Sequence, residues 1–200
     1  MTWVCSLTHD GTEVASYKDP EKYIYPLTLA PGGLLFCVLS DDDDPEQEEI
    51  IALDAQTLQP RHRFGLSLLN CACGLVVAGE ELFVCDSGND RLQVFSLAGE
   101  HHRSITGELK RPVALCLVKD RLYLVEEADE EDDDEGELLY PLRARRIFVL
   151  SLQGDTLQVY TNPVEGQTFS DVLCFFDGKL LAPVEDNEDK VVGVMALAGA

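Results

Sequence analysis

Carboxylate side chains crowd into four short segments of this 200-residue chain. The segments are residues 41–49, 86–90, 126–137 and 185–189, and together they hold 23 of the 37 Asp and Glu residues but none of the 15 Lys and Arg residues. Carboxylates at this density can hold divalent cations, attract a basic protein segment, or act only as solvated loops that keep a protein in solution. The residues leave these three interpretations open.

A docking surface for a Lys- or Arg-rich protein segment is the functional interpretation that we carry forward. The candidate partner-binding residues are Asp41, Asp42, Asp43, Asp44, Glu130, Glu131, Asp132, Asp133, Asp134, Asp186 and Asp189. Metal binding has a weaker basis, because the stretch from Glu131 to Gly136 resembles the start of a calcium loop but has Leu142 where that loop requires Glu. We expect no cofactor, with Ca²⁺ or another divalent cation as the alternative.

Cysteine and histidine spacing gives little support for catalysis or zinc binding. Cys71 and Cys73 have no second Cys or His pair nearby at zinc-like spacing, so we expect both to pack on one face of a strand. No nucleophile elbow, phosphate loop or dinucleotide glycine pattern is present. The expected surface or outer-strand histidines are His9, His62, His101 and His102. The sequence therefore predicts no catalytic residue and favours a non-enzymatic role without excluding an enzyme.

The acidic segments alternate with a repeated set of apolar runs. The run that begins at Leu82 has relatives that begin at Leu34, Leu122 and Leu180, and the interval from Leu82 to Leu122 is 40 residues. In each repeat an apolar run precedes this one, and another follows the acidic segment. Short strands bounded by turn residues at such a period are typical of a β-propeller. The predicted fold is all-β: a β-propeller or partial propeller of about four blades, each a four-stranded antiparallel sheet.

The repeats assign residues 1–200 to a single propeller-like domain. Three complete blades are predicted at residues 22–64, 66–106 and 109–161, with partial blades at 1–18 and 168–200. The chain either closes as a four-bladed ring, in which Thr12–Tyr17 supply the outer strand of the last blade, or is a fragment of a six-bladed ring, which we favour. An open arc would expose apolar blade faces, so self-association is expected if the ring is open.

Propeller geometry predicts where the acidic segments lie. Each of them falls between the second and third strand of a blade, and in a propeller these connections emerge on the same side of the ring. We therefore expect the acidic segments to gather on one rim and to attract cations and basic proteins from a distance.

One repeat resembles the NHL type of propeller repeat. The residues that fit its pattern are Asp86, Asn89, Arg91, Val94, Phe95 and Gly99, and the other blades keep only the apolar skeleton and Arg146. The resemblance implies a protein-binding scaffold, a metal-dependent lactonase- or lyase-like propeller that is degenerate or truncated, or the substrate-recognition module of a ubiquitin-ligase system. An enzyme of that type would carry metal ligands at the inner strand ends, where this chain offers Asn70, Arg111 and Asp171.

Composition limits the location and the partners of the chain. The net charge of −22 would be repelled by nucleic acid and by anionic membranes, so we expect neither as a direct partner. The first residues contain no basic and apolar leader, and the seven cysteines are an odd number that fits reduced thiols better than disulfides. We expect a cytoplasmic protein, with the nucleus as an alternative, and not a secreted one.

Overall fold

Antiparallel β-strands account for nearly all the regular structure of the chain, which is analysed as a computed structural model. The structure describes residues 2–41, 44, 47–126, 146–161, 168–169, 173–177, 179–185 and 191–198. The described residues form two compact units, Met1–Ile105 and Thr106–Ala200. Within them, no helix is long and apolar enough to cross a membrane.

Unit 1 contains a two-stranded hairpin and two four-stranded sheets. The hairpin strands are β1 (Val4–Leu7) and β2 (Glu13–Tyr17). Blade 1 consists of β3 (Tyr23–Ala30), β4 (Leu34–Ser40), β5 (Glu49–Asp54) and β6 (Pro60–Phe64). Blade 2 consists of β7 (Ala72–Ala78), β8 (Glu81–Asp86), β9 (Arg91–Ser96) and β10 (His101–Ile105).

Unit 2 contains two further sheets. Blade 3 consists of β11 (Pro112–Val118), β12 (Arg121–Glu126), β13 (Arg146–Ser151) and β14 (Thr156–Thr161). Blade 4 consists of β15 (Thr168–Phe169), β16 (Cys174–Phe176), β17 (Lys179–Glu185) and β18 (Val191–Ala198). In blades 1 to 3 each strand pairs with the next strand along the chain, as predicted.

The first strand of blade 4 is described in two parts. The sequence pattern predicts an apolar strand at residues 172–176, and the structure has β16 within this range and a further short strand, β15, both paired with β17. Residues 170–172 lie outside the described residues. The third strand, β18, pairs with the other side of β17. In blade 4, β17 is therefore the central strand, with β15 and β16 on one side and β18 on the other.

The core of unit 1 follows from the alternation of side chains along each strand. In β4, Phe36 and Val38 point to one face and pack with Leu82 and Val84 of blade 2, and all four side chains are fully buried. We call the face of a blade that carries Phe36 or its equivalents the trailing face, and the opposite face the leading face. Because both faces of β4 are covered, the strand is a continuous apolar run instead of an alternating one.

The hairpin covers part of the leading face of blade 1. Val4, Ala15 and Tyr17 of the hairpin pack against a buried cluster that includes Cys37 and Ile51 of blade 1. The strands β1 and β2 pair only with each other and form a sheet of their own. Blade 1 is therefore sandwiched between the hairpin and blade 2.

Candidate functional site

Each acidic segment joins the second strand of a blade to the third. The segments follow β4, β8, β12 and β17 and precede β5, β9, β13 and β18, and every one of these strand pairs is antiparallel. The four connections therefore occupy corresponding positions in the four blades. This correspondence is the topological basis of the predicted acidic rim.

Two of the eleven predicted partner-binding residues lie in the described part of the chain. Asp41 is half-buried and Asp44 is exposed. The backbone N–H of Asp44 donates to the Asp41 carbonyl at 3.3 Å, so the two residues share a turn. The other nine lie outside the described residues: Asp42, Asp43, Glu130, Glu131, Asp132, Asp133, Asp134, Asp186 and Asp189.

In unit 1 the ends of the first two acidic connections lie close together. The Oε2 atom of Glu48 accepts a hydrogen bond of 2.7 Å from the backbone N–H of Ala72, the first residue of β7. Ala72 in turn is the strand partner of Asp86, where the second acidic segment begins. Glu48 and Asp86 therefore meet at the boundary between blades 1 and 2.

Asp86 is a fully buried carboxylate that binds several donors. Its Oδ1 atom accepts hydrogen bonds from the backbone N–H of Asn70 at 2.8 Å and from the side chain of Asn89 at 2.9 Å. Its Oδ2 atom accepts from Arg91 Nε at 2.7 Å and from Gln93 Nε2 at 3.3 Å. Asp86, Asn89 and Arg91, three of the residues that carry the NHL resemblance, thus hold the β8–β9 turn closed.

Blade 3 repeats this arrangement with a longer side chain. Glu126 is buried and follows the register of Asp86, since it is paired with Arg146 as Asp86 is paired with Arg91. Arg146 Nε lies 2.5 Å from Glu126 Oε2, and the backbone N–H of Lys110 donates to the same carboxylate. A carboxylate–arginine pair therefore closes the second connection of both blade 2 and blade 3.

Several acids of the predicted rim are consequently part of the protein interior. Glu48, Asp86 and Glu126 are all buried, although their segments were assigned to the surface on composition. Glu49 is also occupied, because its Oε1 atom lies 3.0 Å from both Lys22 Nζ and Arg63 Nη1. Sequence reasoning missed these roles, which require knowledge of the donors that each carboxylate meets.

Burial of Glu48 makes the stability of the protein depend on pH. Burial raises the pKa of the Glu48 carboxyl above its ordinary value, by more than the hydrogen bonds from Ala72 and Ser40 lower it, and the Asp86 carboxylate adds to the rise. The folded state thus holds this proton more tightly than the unfolded chain does. The Glu48 contribution to stability is present below the unfolded pKa of 4.5 and is lost as the pH rises through the folded pKa.

The substitution Glu48→Gln tests this dependence. Gln keeps an oxygen for the Ala72 N–H but cannot ionise, so the free energy of unfolding of wild type minus that of the variant should fall from about pH 5 to about pH 8. Urea unfolding followed by circular dichroism gives both values. A difference that stays constant or rises with pH would contradict the raised pKa.

The histidines lie in the turns or outer strands where they were predicted. His62 is in β6 and the His101-His102 pair begins β10, while His9 is exposed in the hairpin turn. The His62 ring stacks on Phe64 at 5.6 Å, and its Nε2 lies 3.1 Å from the carbonyl oxygen of Leu97. His62 therefore supports the contact between blades 1 and 2.

Cys71 and Cys73 were predicted to pack on one face of a strand, but only Cys73 lies in a strand. Cys71 is exposed and precedes β7 with a φ of 52°, in the left-handed region, whereas Cys73 is half-buried with its Sγ 2.7 Å from Ser87 Oγ. The backbone reverses at Cys71 before the strand begins at Ala72, so the packing role predicted for Cys71 is wrong.

The residues at the inner strand ends, which a metal-dependent enzyme would use as ligands, have a structural role where the structure describes their contacts. Asn70 donates its backbone N–H to Asp86 and accepts a hydrogen bond of 2.9 Å from the Gly88 N–H through its carbonyl. Arg111 lies just before β11, and Asp171 is outside the described residues. Among the side chains that the structure describes, no three His, Cys, Asp or Glu residues are grouped to hold a metal ion.

Comparison with known proteins identifies a fold. No protein-family profile and no curated protein sequence matches the chain. Streptogramin B lyase is similar in structure, with a TM-score of 0.65 and 12% identity over 98% of this chain and 61% of that chain. BamB from Moraxella catarrhalis has a TM-score of 0.56 and 13% identity over 94% of this chain and 54% of that chain. The computationally designed Ika4 protein has a TM-score of 0.59 and 14% identity over 94% of this chain and 98% of that chain.

These similarities confirm the predicted fold class. The chain spans less than two thirds of streptogramin B lyase and of BamB, and nearly all of Ika4. At such low identity the likeness extends to the fold alone. The protein is an all-β chain with the fold of a β-propeller or partial propeller of about four blades.

Proposed function

We propose that this protein is a non-enzymatic binding scaffold whose acidic connections recruit a Lys- or Arg-rich segment of another protein. The observation that supports the proposal is that 23 of the 37 acids fall in one recurring place, within or at the ends of the connections β4–β5, β8–β9, β12–β13 and β17–β18. A field built from many carboxylates on corresponding loops increases the encounter rate with cationic partners.

The local contacts separate a folding role from a binding role for these acids. Glu48, Asp86 and Glu126 close the connections at their strand ends and satisfy backbone N–H groups there. Asp44, in the segment between β4 and β5, is exposed. We assign partner binding to the acids of the four segments other than Glu48, Glu49, Asp86 and Glu126.

The blades themselves are proposed to be NHL-type repeats. In support, Asn89 and Arg91 of the matching pattern both donate hydrogen bonds to Asp86 in blade 2. Blade 3 keeps the ion pair with Glu126 and Arg146 in place of Asp86 and Arg91. The ion pair is thus kept in two blades while the loop between its residues differs. This pattern suits a scaffold in which the loops, and not the sheets, select the partner.

Binding of a labelled Lys- and Arg-rich peptide, followed by fluorescence anisotropy, tests the proposed surface. We expect the dissociation constant to increase by about tenfold or more between about 50 mM and about 500 mM salt, because salt screens attraction between exposed charges. A Gly- and Ser-rich peptide of equal length should not bind. Affinity that is unchanged by salt would contradict an electrostatic docking surface.

A charge-matched pair of variants locates the surface. The first variant carries four Asp→Asn substitutions, at Asp41, Asp42, Asp43 and Asp44. Its control carries four Glu→Gln substitutions at exposed positions outside the acidic segments, namely Glu13, Glu80, Glu100 and Glu108. Both variants lose the same charge, so we expect the first to bind the peptide several-fold more weakly than the control. Equal affinities would place peptide binding elsewhere.

A further inference from the structure

The leading face of blade 1 is incompletely covered on its inner strand. Leu27 and Leu29 of β3 are 56% and 64% exposed. In blade 2 the register equivalent of Leu27 is Leu75, which is only 8% exposed because blade 1 packs on it. The same position is thus buried where a neighbouring blade is present and bare where only the two-stranded hairpin lies against the sheet.

The outward face of the hairpin carries exposed apolar side chains as well, beside the polar residues Glu13 and Ser16. Trp3, Leu7 and Val14 are all more than half exposed, whereas Val4 and Ala15 point inward to blade 1. The hairpin and β3 together present what we call the N-terminal apolar face, formed by Trp3, Leu7, Val14, Tyr25, Leu27 and Leu29.

A second bare face belongs to blade 4. Val194 in β18 is 59% exposed. Its register equivalents in the third strands of blades 1, 2 and 3 are 0% exposed: Ile50, Leu92 and Ile147. These equivalents lie on trailing faces, so Val194 is an exposed position on the trailing face of blade 4.

The two exposed faces are of the two types, leading and trailing, that pack against each other between neighbouring blades. Within unit 1 the trailing face of blade 1, with Phe36 and Val38, packs on the leading face of blade 2, with Leu82 and Val84. Among the described residues, each copy of the chain therefore exposes Leu27 and Leu29 on a leading face and Val194 on a trailing face. We propose that the chain associates head to tail with a second copy, the trailing face of blade 4 of one copy covering the N-terminal apolar face of the other.

The size and charge of the surfaces fit this partner. Six large side chains that are each about half exposed present on the order of 600 Å² of apolar surface, which is at the upper end for a monomer. None of these six side chains is charged, although Glu13, the strand partner of Leu7, is exposed beside them. The net charge of −22 on each copy opposes association over longer distances, and salt should therefore strengthen self-association. The proposed peptide binding has the opposite salt dependence.

Sedimentation velocity over protein concentrations from about 1 to about 100 μM tests the proposal. We expect the wild-type chain to shift from monomer to dimer or a larger assembly, and the shift to occur at lower concentration in high salt. Leu27→Lys or Val194→Lys should each raise the dissociation constant by about tenfold or more, since either removes one face. Leu157→Lys is the control, because Leu157 is also exposed but lies on the outer strand β14.

Mixing the two variants identifies the head-to-tail arrangement. A Leu27→Lys copy keeps an intact blade 4 and a Val194→Lys copy keeps an intact N-terminal apolar face, so an equimolar mixture should form a heterodimer although neither variant associates alone. Circular dichroism checks that both variants are folded, and Leu27→Ala and Val194→Ala replace any that is not. A wild-type monomer at every concentration, or a mixture that stays monomeric, would overturn the proposal.

Discussion

Replacement of Asp86 by Ala is expected to lower the free energy of unfolding by about 3 to 5 kcal/mol. The Asp86 carboxylate is fully buried and accepts hydrogen bonds from Asn70, Asn89, Arg91 and Gln93. Its removal leaves the Arg91 guanidinium without its carboxylate and the Asn70 N–H without an acceptor. The Gln93 amide, which is 1% exposed, also loses this acceptor away from water, whereas the Arg91 side chain is 29% exposed and water offsets part of its loss.

Urea unfolding of Asp86→Ala, followed by circular dichroism, measures the loss. Glu100→Ala is the matched control, because it removes one negative charge from an exposed position in the next turn of the same blade. The control should change stability by less than about 0.5 kcal/mol. A loss below about 1 kcal/mol for Asp86→Ala would show that the carboxylate does not hold the β8–β9 turn.

Replacement of Gly99 by Ala is expected to be almost as damaging, at about 2 to 4 kcal/mol. Gly99 has a φ of +93°, which L-amino acids rarely adopt, and a Cβ atom at this position would lie 2.7 Å from Cγ of Phe64. Phe64 cannot easily move away, because its ring is held by contacts with Phe36 and Phe95. The added methyl group would therefore push blades 1 and 2 apart.

Gly33→Ala separates the backbone cost from the packing cost. Gly33 has a similar φ of +80°, but a Cβ atom there would have no neighbour within 4 Å. Its substitution should cost only the backbone strain, about 1 to 2 kcal/mol. Urea unfolding of both variants gives the comparison, and equal losses would show that the close approach to Phe64 contributes nothing.

The strand pattern of the protein could be predicted because burial on two faces leaves a clear trace in the sequence. Runs such as β8 and β12 are continuous in apolar residues, and polar turn residues bound them on both sides. The additional short strand β15 could not be predicted in this way. Pairing of two short strands with one partner depends on register, which residue composition does not encode.

The candidate site was less accessible to sequence reasoning than the fold. Charge density assigned Glu48, Asp86 and Glu126 to the acidic surface, whereas all three are buried. Composition does not say which carboxylate meets a backbone N–H on a neighbouring strand. A signal was nevertheless present for Asp86, since Arg91 follows it across a turn that contains Gly88 and Asn89, a spacing that favours a closed hairpin with an internal ion pair.

The carboxylate–arginine pair at the base of the second connection also bears on how this protein can diversify. In blade 2 the pair spans residues 87–90, and in blade 3 the equivalent pair spans residues 127–145. Because the ends are fastened in both cases, extra residues between them add only the slowly growing entropy of a longer loop and leave the strand register unchanged. The fold can thus accept insertions of very different length and composition in this connection between two strands. The connection is therefore a natural place to graft new recognition sequences.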